Sequence, residues 1–366
     1  MAAGVVTGGL LAAGTPAVVA SAAQVSATSA VQAYVSCNDR GRVKPVNTVT
    51  NRSTAPILTG KYPGQMGFTP DGKTGYIPEG GDQQAVLPVT TATNTPGTLI
   101  PVGYEPTAVV VAPNGATAYV AYDSDDNIVT PIDTATNTAG APITVGSGPN
   151  NIAITPDSAT AYVTSIDSNN VTPINTATNT AGAPIAVGDR PDAIAITPNG
   201  QTAYVANLDS GTVTPIDTAT NTAGAPIKVG STAGPIAITP NGKTAYVLSG
   251  TSTITPINTA TNKPGARINV GRAPGQIVIT PNGKTAYVTN YGFGTVTPVN
   301  LSTRQAGPAI PTTGPYPSAI AVTPNSKTVY VATLSSDIVT PISTATNTAG
   351  TGITTCSGIM DISMMP

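Results

Sequence analysis

The sequence predicts an all-β ring of four-stranded antiparallel blades, a β-propeller, and three observations carry that prediction. First, the nonapeptide Thr-Pro-Asn-Gly-Gln-Thr-Ala-Tyr-Val at 197–205 has copies at 69–77, 112–120, 155–163, 239–247, 280–288 and 323–331, its tyrosine stepping by 41 to 43 residues. A period near 42 residues marks an array of one supersecondary unit. Second, each unit holds short apolar runs bounded by Pro, Gly and Asn, which read as strands and turns. Third, the two ends of the chain carry complementary parts of one unit. Helical repeats of similar period need i, i+3, i+4 apolar spacing, and 35 prolines and 38 glycines leave no room for it.

The unit at 189–230 can be taken strand by strand. Ala193 to Thr197 is a mostly apolar run, as in a strand covered on both faces. Pro198-Asn199-Gly200 supplies the fixed φ and the positive φ of a tight hairpin. Thr202 to Ala206 is the second strand, Asn207 to Gly211 a polar loop, and Thr212 to Ile216 the third strand. Pro215 within it has no N–H and belongs where no ladder bond is broken. Asp217 to Gly224 is rich in turn residues, and Ala225 to Val229 is the fourth strand. Four short strands in such a period make a propeller blade.

A ring must join its last blade to its first or leave two open edges. Ala33 to Ser36, Val43 to Asn47 and Ala55 to Leu58 match the second, third and fourth strands with no first strand before them, while Ile362 to Pro366 matches a first strand. The ends therefore complete one blade, which with seven internal units gives eight; residues 28–366 divide into eight units of about 42. Cys37 aligns with Asn207 and Cys356 with Gly188, at the same end of neighbouring strands. The two are therefore expected to form a disulfide that latches the shared blade.

Tyr287-Val288-Thr289-Asn290 spells the tetrapeptide that names the YVTN family of β-propeller repeats, and the other units carry Tyr-Val-Ala or Tyr-Val-Thr. From about residue 33 onward the chain resembles that family. The resemblance implies a secreted or cell-surface propeller, often of a surface layer, with no shared catalytic site. Seven blades is the commoner count there and stands as the alternative to eight.

Composition narrows the function. Charged residues are 9% of the chain and the net charge is −2, without a basic block. Nucleic acid and anionic membrane surfaces therefore find no electrostatic footprint. The chain contains no His, which removes the commonest general base and metal ligand and any Ser-His-Asp or Cys-His arrangement. A haem-bearing or electron-transfer propeller, a third reading, finds no support either, since no Cys-x-x-Cys-His is present. Residues 1–22 are uncharged and end Ala20-Ser21-Ala22, the small-x-small pattern of an export signal, although no Lys or Arg precedes the apolar run. Gly8, Gly9, Gly14 and Pro16 break that run too often for a membrane span. The expected organisation is a signal peptide at 1–22, a short segment at 23–32 and one propeller domain at 33–366. The mature chain is expected to be extracellular, monomeric and not membrane-inserted.

Repeated residues read as structural. The strand tyrosines are expected to pack between blades with their hydroxyls bonded locally. Asp133, Asn175, Asp217, Asn258 and Asn300 alternate between acid and amide as an Asx-turn allows. Function is sought where units differ, on the face that carries the loops from second to third strand and from fourth to next first strand. There Glu79, Asp82, Glu105, Asp123, Asp125, Asp126, Asp167, Asp189, Asp192 and Asp209 crowd the N-terminal half, against Arg272, Tyr291, Phe293 and Tyr316 in the C-terminal half. Asp123, Asp125 and Asn127 resemble the opening of a calcium loop, though the Gly and distant Glu of the full motif are missing. No resident cofactor is expected, with calcium there as the one metal candidate.

The function this supports is an exported, non-catalytic binding or cell-surface structural module, its partner a protein or polysaccharide at the cell surface. The alternative is a divalent-metal-dependent propeller enzyme of lactonase or lyase type. That alternative requires three or more of Glu79, Glu105, Asp123, Asp167, Asp189 and Asp192 to converge within coordination reach.

Overall fold

The computed structural model describes residues 32–38, 41–81, 83–122, 126–334 and 336–366. Their strands form eight antiparallel sheets and no helix, an eight-bladed β-propeller. The expected signal peptide at 1–22, and residues 23–31 after it, lie outside the described residues. Blade 1 joins the two ends of the chain; blades 2 to 8 follow in order, with blade 5 at 191–228.

In blade 5 the inner strand is Pro191–Ile196, followed outward by Thr202–Asn207 and Thr212–Asp217, with Tyr204 opposite Ala195 on one side and Pro215 on the other. The fourth strand, expected at 225–229, is Ile227–Lys228, and Thr222–Ala223, expected within the connection, pairs to the third strand as well, separated from it by a break. The prolines explain the break. The Pro215 carbonyl accepts from Gly224 N at 2.7 Å, so its missing N–H faces the same outward side, where Pro226 has none to offer either. The hairpin before the second strand turns on Gly200 at φ +73°, whose N–H reaches the Thr197 carbonyl at 2.7 Å.

Blades are fastened to one another by the repeated tyrosine. Tyr34, Tyr76, Tyr119, Tyr162, Tyr204, Tyr246, Tyr287 and Tyr330 are at most 1% exposed. Seven of them donate their hydroxyl to the Oδ1 of an asparagine in the next blade, at 2.5–2.8 Å: Asn94, Asn137, Asn179, Asn221, Asn262, Asn347 and Asn51. Tyr246 meets Arg304 instead. Each asparagine sits at φ between +52° and +55°, a conformation Asn tolerates better than most residues. The bond from Tyr330 to Asn51 runs from blade 8 to blade 1 and closes the circle.

Closure follows the sequence argument in detail. Gln32–Cys37 pairs with Ile359–Met364, Ala33 opposite Met364 and Cys37 opposite Ile359. Cys37 and Cys356 form a disulfide across 319 residues with a Cα separation of 6.0 Å. Blade 1 then grips blade 2: Ser36 Oγ donates to the Gly64 carbonyl at 2.8 Å, and Met66 N donates to Ser363 Oγ at 3.1 Å. The inner strand of blade 2 is short, Gly67–Phe68, because the segment before it turns toward blade 3. Gln65 N donates to the Thr107 carbonyl at 2.9 Å and Val109 N to the Gln65 carbonyl at 3.1 Å. A Cβ on Gly64 would lie 1.9 Å from that Thr107 oxygen, so glycine is obligatory there.

Candidate functional site: the loop face

Antiparallel order places the hairpins after first and third strands on one face of the ring and the remaining loops on the other. The second face is built by one device. In six blades the residue just before the inner strand has positive φ, from +52° to +66°, namely Glu105, Gly148, Arg190, Ala273, Tyr316 and Gly358, and in blade 2 Tyr62, five residues before the shortened inner strand, has it too. In blades 1, 2, 4, 5, 7 and 8 its carbonyl accepts an N–H from the loop after the second strand, as from Leu208 to Arg190 (2.8 Å) and from Tyr291 to Ala273 (2.9 Å). The two loops of a blade are thereby stitched side by side, leaving Tyr62, Arg190, Ala273 and Tyr316 exposed and Glu105 half-buried.

Beneath the loops, the last residue of the second strand plugs each blade. Asn207 Nδ2 donates to Thr214 Oγ1 at 2.9 Å, Asn290 Nδ2 to Thr297 Oγ1 at 2.8 Å, and Tyr122 OH to Thr130 Oγ1 at 2.6 Å. Cys37 fills this position in blade 1, and Glu79 fills it in blade 2. Glu79 is thus not on the displayed face, as its place in the sequence suggested, but 1% exposed under it. Leu87 stands where other blades have the partner threonine, so Oε1 is buried without a hydrogen bond while the other oxygen faces Gly60. Burial pushes the carboxyl above the ordinary glutamate range, against the lowering effect of the Gly60 N–H.

The acids divide into displayed and engaged groups. Asp167, Asp189 and Asp209 are exposed on blades 4 and 5, and Asp209 Oδ1 lies 3.9 Å from Arg190 Nη1. Asp192 occupies a bulge of the inner strand, where Asn150 Nδ2 of the neighbouring blade donates to its carbonyl at 2.8 Å and approaches its Oδ1 at 3.4 Å. Burial pushes the Asp192 carboxyl up, and the nearby Arg190 opposes that. Glu105 is half-buried before blade 3 and Asp126 is exposed. Among the described residues no three of His, Cys, Asp or Glu come together as a metal group. Of the calcium candidates, Asp123 and Asp125, like Asp82, lie outside the described residues, and Asn127 Oδ1 receives Gly148 N at 3.3 Å.

The aromatic residues do come together. Tyr291 of blade 7 and Tyr316, which leads into blade 8, have ring centroids 4.9 Å apart at 38°. Phe293 beside them is 65% exposed, and Arg272 is exposed on the same sector. Elsewhere on the loop face blades 1, 2 and 3 carry Met360, Tyr62 and Tyr104, each about half exposed, blade 3 lying opposite blade 7 in the ring of eight. Sequence reasoning missed these three by dividing a circle into halves. The signal was present, since Tyr62-Pro63 aligns with Tyr316-Pro317.

No protein-family model matches the sequence, and no curated protein matches it. Solved structures do. The chain is similar to Kuenenia stuttgartiensis hydrazine synthase at 26% identity and TM-score 0.63, covering 78% of this chain and 96% of that one. It is similar to the dihydro-heme d1 dehydrogenase NirN, solved in complex with DHE, at 12% identity and TM-score 0.78, covering 93% and 76%. Citrobacter koseri AztD matches at 13% identity and TM-score 0.70, covering 92% and 98%. These neighbours share its fold. The disulfide agrees with an extracellular or periplasmic location. Among the described residues no helix is long and apolar enough to cross a membrane.

Proposed function

We propose that this chain is an exported, non-catalytic binding module of the YVTN propeller type that recognises its partner through the loop face. The observation that supports this most directly is where the blades differ. The opposite face repeats the same hairpins and asparagine turns around the ring, whereas the loop face carries a different side chain at nearly every equivalent position. A scaffold held constant beneath variable loops is the arrangement that recognition sites use. The heme chemistry named for NirN has no histidine ligand to rest on in this chain.

Melting the purified protein with calcium and then with a chelator tests the non-catalytic reading, the expected result being an unchanged midpoint. A shift abolished by Asp192→Asn would overturn it in favour of a metal-dependent lactonase- or lyase-type site on the acidic sector. Fractionation of producing cells tests export: the chain is expected outside the cytoplasm with Cys37 and Cys356 oxidised.

A further inference from the structure

We infer that this propeller associates head to tail with further copies of itself, an acidic sector of one loop face resting on a basic sector of the next copy's hairpin face. This goes beyond the binding-module reading and does not depend on it. The observation is how charge is distributed along the chain and around the ring. Between Lys73 and Arg190 the sequence holds ten acids and no Lys or Arg, and between Asp217 and Asp337 it holds eight bases and no Asp or Glu. The first stretch runs through blades 2 to 4 and the second through blades 6 to 8, which lie across the ring from them. The net charge of −2 is therefore the sum of two opposed arcs.

The arcs present their charge on different faces. Lys243, Lys284 and Lys327 take the same place in the first hairpins of blades 6, 7 and 8, and all three are exposed. Lys263 and Arg304 are exposed beside the turns that follow the third strands of blades 6 and 7. The acids of the hairpin face, Asp71, Asp133, Asp157 and Asp217, all belong to blades 2 to 5, so over blades 6 to 8 this face has a single sign. On the loop face Glu105, Asp126, Asp167 and Asp189 follow one another along blades 3 and 4 with no base between them, Glu105 half-buried and the other three exposed. Beyond them the signs mix, with Arg190 and Asp209 on blade 5, Arg272 on blade 7 and Asp337 on blade 8.

Within one molecule the two sectors cannot meet, because they occupy opposite sides and opposite faces of the ring. Lys243, Lys263, Lys284 and Lys327 accordingly form no ion pair among the described residues. A second copy supplies the partner, since a half-turn about the ring axis lays blades 2 to 4 of one loop face over blades 6 to 8 of the next hairpin face. Complementary fields of this kind steer encounter and fix register. A chain total near zero leaves no general repulsion to oppose the approach. The two copies use different patches, so the contact is heterologous, and stacking along the ring axis leaves the same two faces free at the ends. The expected monomer is then the form at high salt.

The test is sedimentation velocity of the full chain over a range of protein concentrations, at about 0.01 M salt, where charges act over about 30 Å, and at about 1 M, where they act over about 3 Å. Mass that grows with concentration at low salt and returns to the monomer at high salt is expected. Combining Lys243→Gln, Lys284→Gln and Lys327→Gln should weaken association about tenfold or more, and so should Glu105→Gln with Asp167→Asn and Asp189→Asn. Mixed, the two variants should form a heterodimer that stops at two, because each keeps one working face. Unaltered melting midpoints separate loss of charge from loss of fold. A wild type that stays monomeric at low salt, or association indifferent to salt and to both variants, would overturn the inference. So would a wild type that stops at a dimer, since that contact is closed. Polygalacturonate held by the same lysines on a monomeric wild type would assign the basic sector to a foreign polyanion, overturning the inference while the binding module stands.

Discussion

Glu79 offers the sharpest test of how this ring is held together. Its carboxyl is 1% exposed and Oε1 has no hydrogen bond, so ionising it places a charge where only the Gly60 N–H meets it. Its folded pKa is raised, chiefly by desolvation. The folded state therefore holds a proton that the unfolded chain releases above a pH of about 4.3. Stability falls as pH rises across that window, by about 1.4 kcal/mol for each unit in which the two states differ by one proton. Glu79→Gln keeps the shape and an acceptor for Gly60 N but cannot ionise. Wild type and variant should have matching urea midpoints near pH 4, and the variant should gain steadily as pH rises until the folded carboxyl itself titrates. Two stability profiles that stay parallel between pH 4 and 8 would show that Glu79 is solvated or paired in solution, and would refute the reasoning.

Four further outcomes follow from the same contacts. Replacing Cys37 and Cys356 by alanine removes a link across 319 residues, which the chain-entropy relation values at roughly 6 kcal/mol, measured as a lower denaturant midpoint that a reductant no longer shifts. Tyr204→Phe deletes one interblade bond to the exposed Asn262, which water can then satisfy, and should cost about 1 kcal/mol in the same assay. Burial pushes Tyr76, Tyr119, Tyr162, Tyr204, Tyr287 and Tyr330 up to about 12, so stability should fall as pH rises from about 10 to 12; ellipticity and tyrosinate absorbance should change in one step. Tyr316→Gly should leave the melting midpoint nearly unchanged while removing a ring from the loop face.

What could be read in the sequence was whatever the repeat imposes. The period, the strand order, the shared blade and the pairing of Cys37 with Cys356 each follow from aligning one unit on another. Burial of the tyrosines followed too, because a residue present in every blade must do what every blade needs. Their partners did not: the asparagine that meets Tyr204 is Asn262, in the next unit, and alignment within a unit says nothing about contacts across units. Glu79 was misplaced for a related reason. Its position in the unit is a buried plug in every blade, but the residue type varies from Cys to Tyr to Asn, so an acid there resembled a loop acid. Thr222–Ala223 was read as part of the turn-rich connection because a single sequence shows Pro215 and Pro226 separately, whereas in the sheet both face one gap.

The strained residues before the inner strands show where stability and display diverge. Blades 1 and 4 place Gly358 and Gly148 at this position, where positive φ carries no Cβ penalty. Five others hold Tyr62, Glu105, Arg190, Ala273 and Tyr316 in the same conformation, at about 1 kcal/mol each. Every one precedes a proline, which fixes the start of the inner strand. The carbonyl geometry that stitches the loops needs only the backbone and is met equally by the glycines, as Gly148 shows in accepting from Ile166 N at 2.8 Å. The backbone geometry therefore gives no reason for a side chain at these five places. What the side chains add is outward: two exposed tyrosines, a half-buried Glu105, and Arg190 against Asp209. Strain retained where glycine would relieve it is what the proposed binding role of this face leads one to expect.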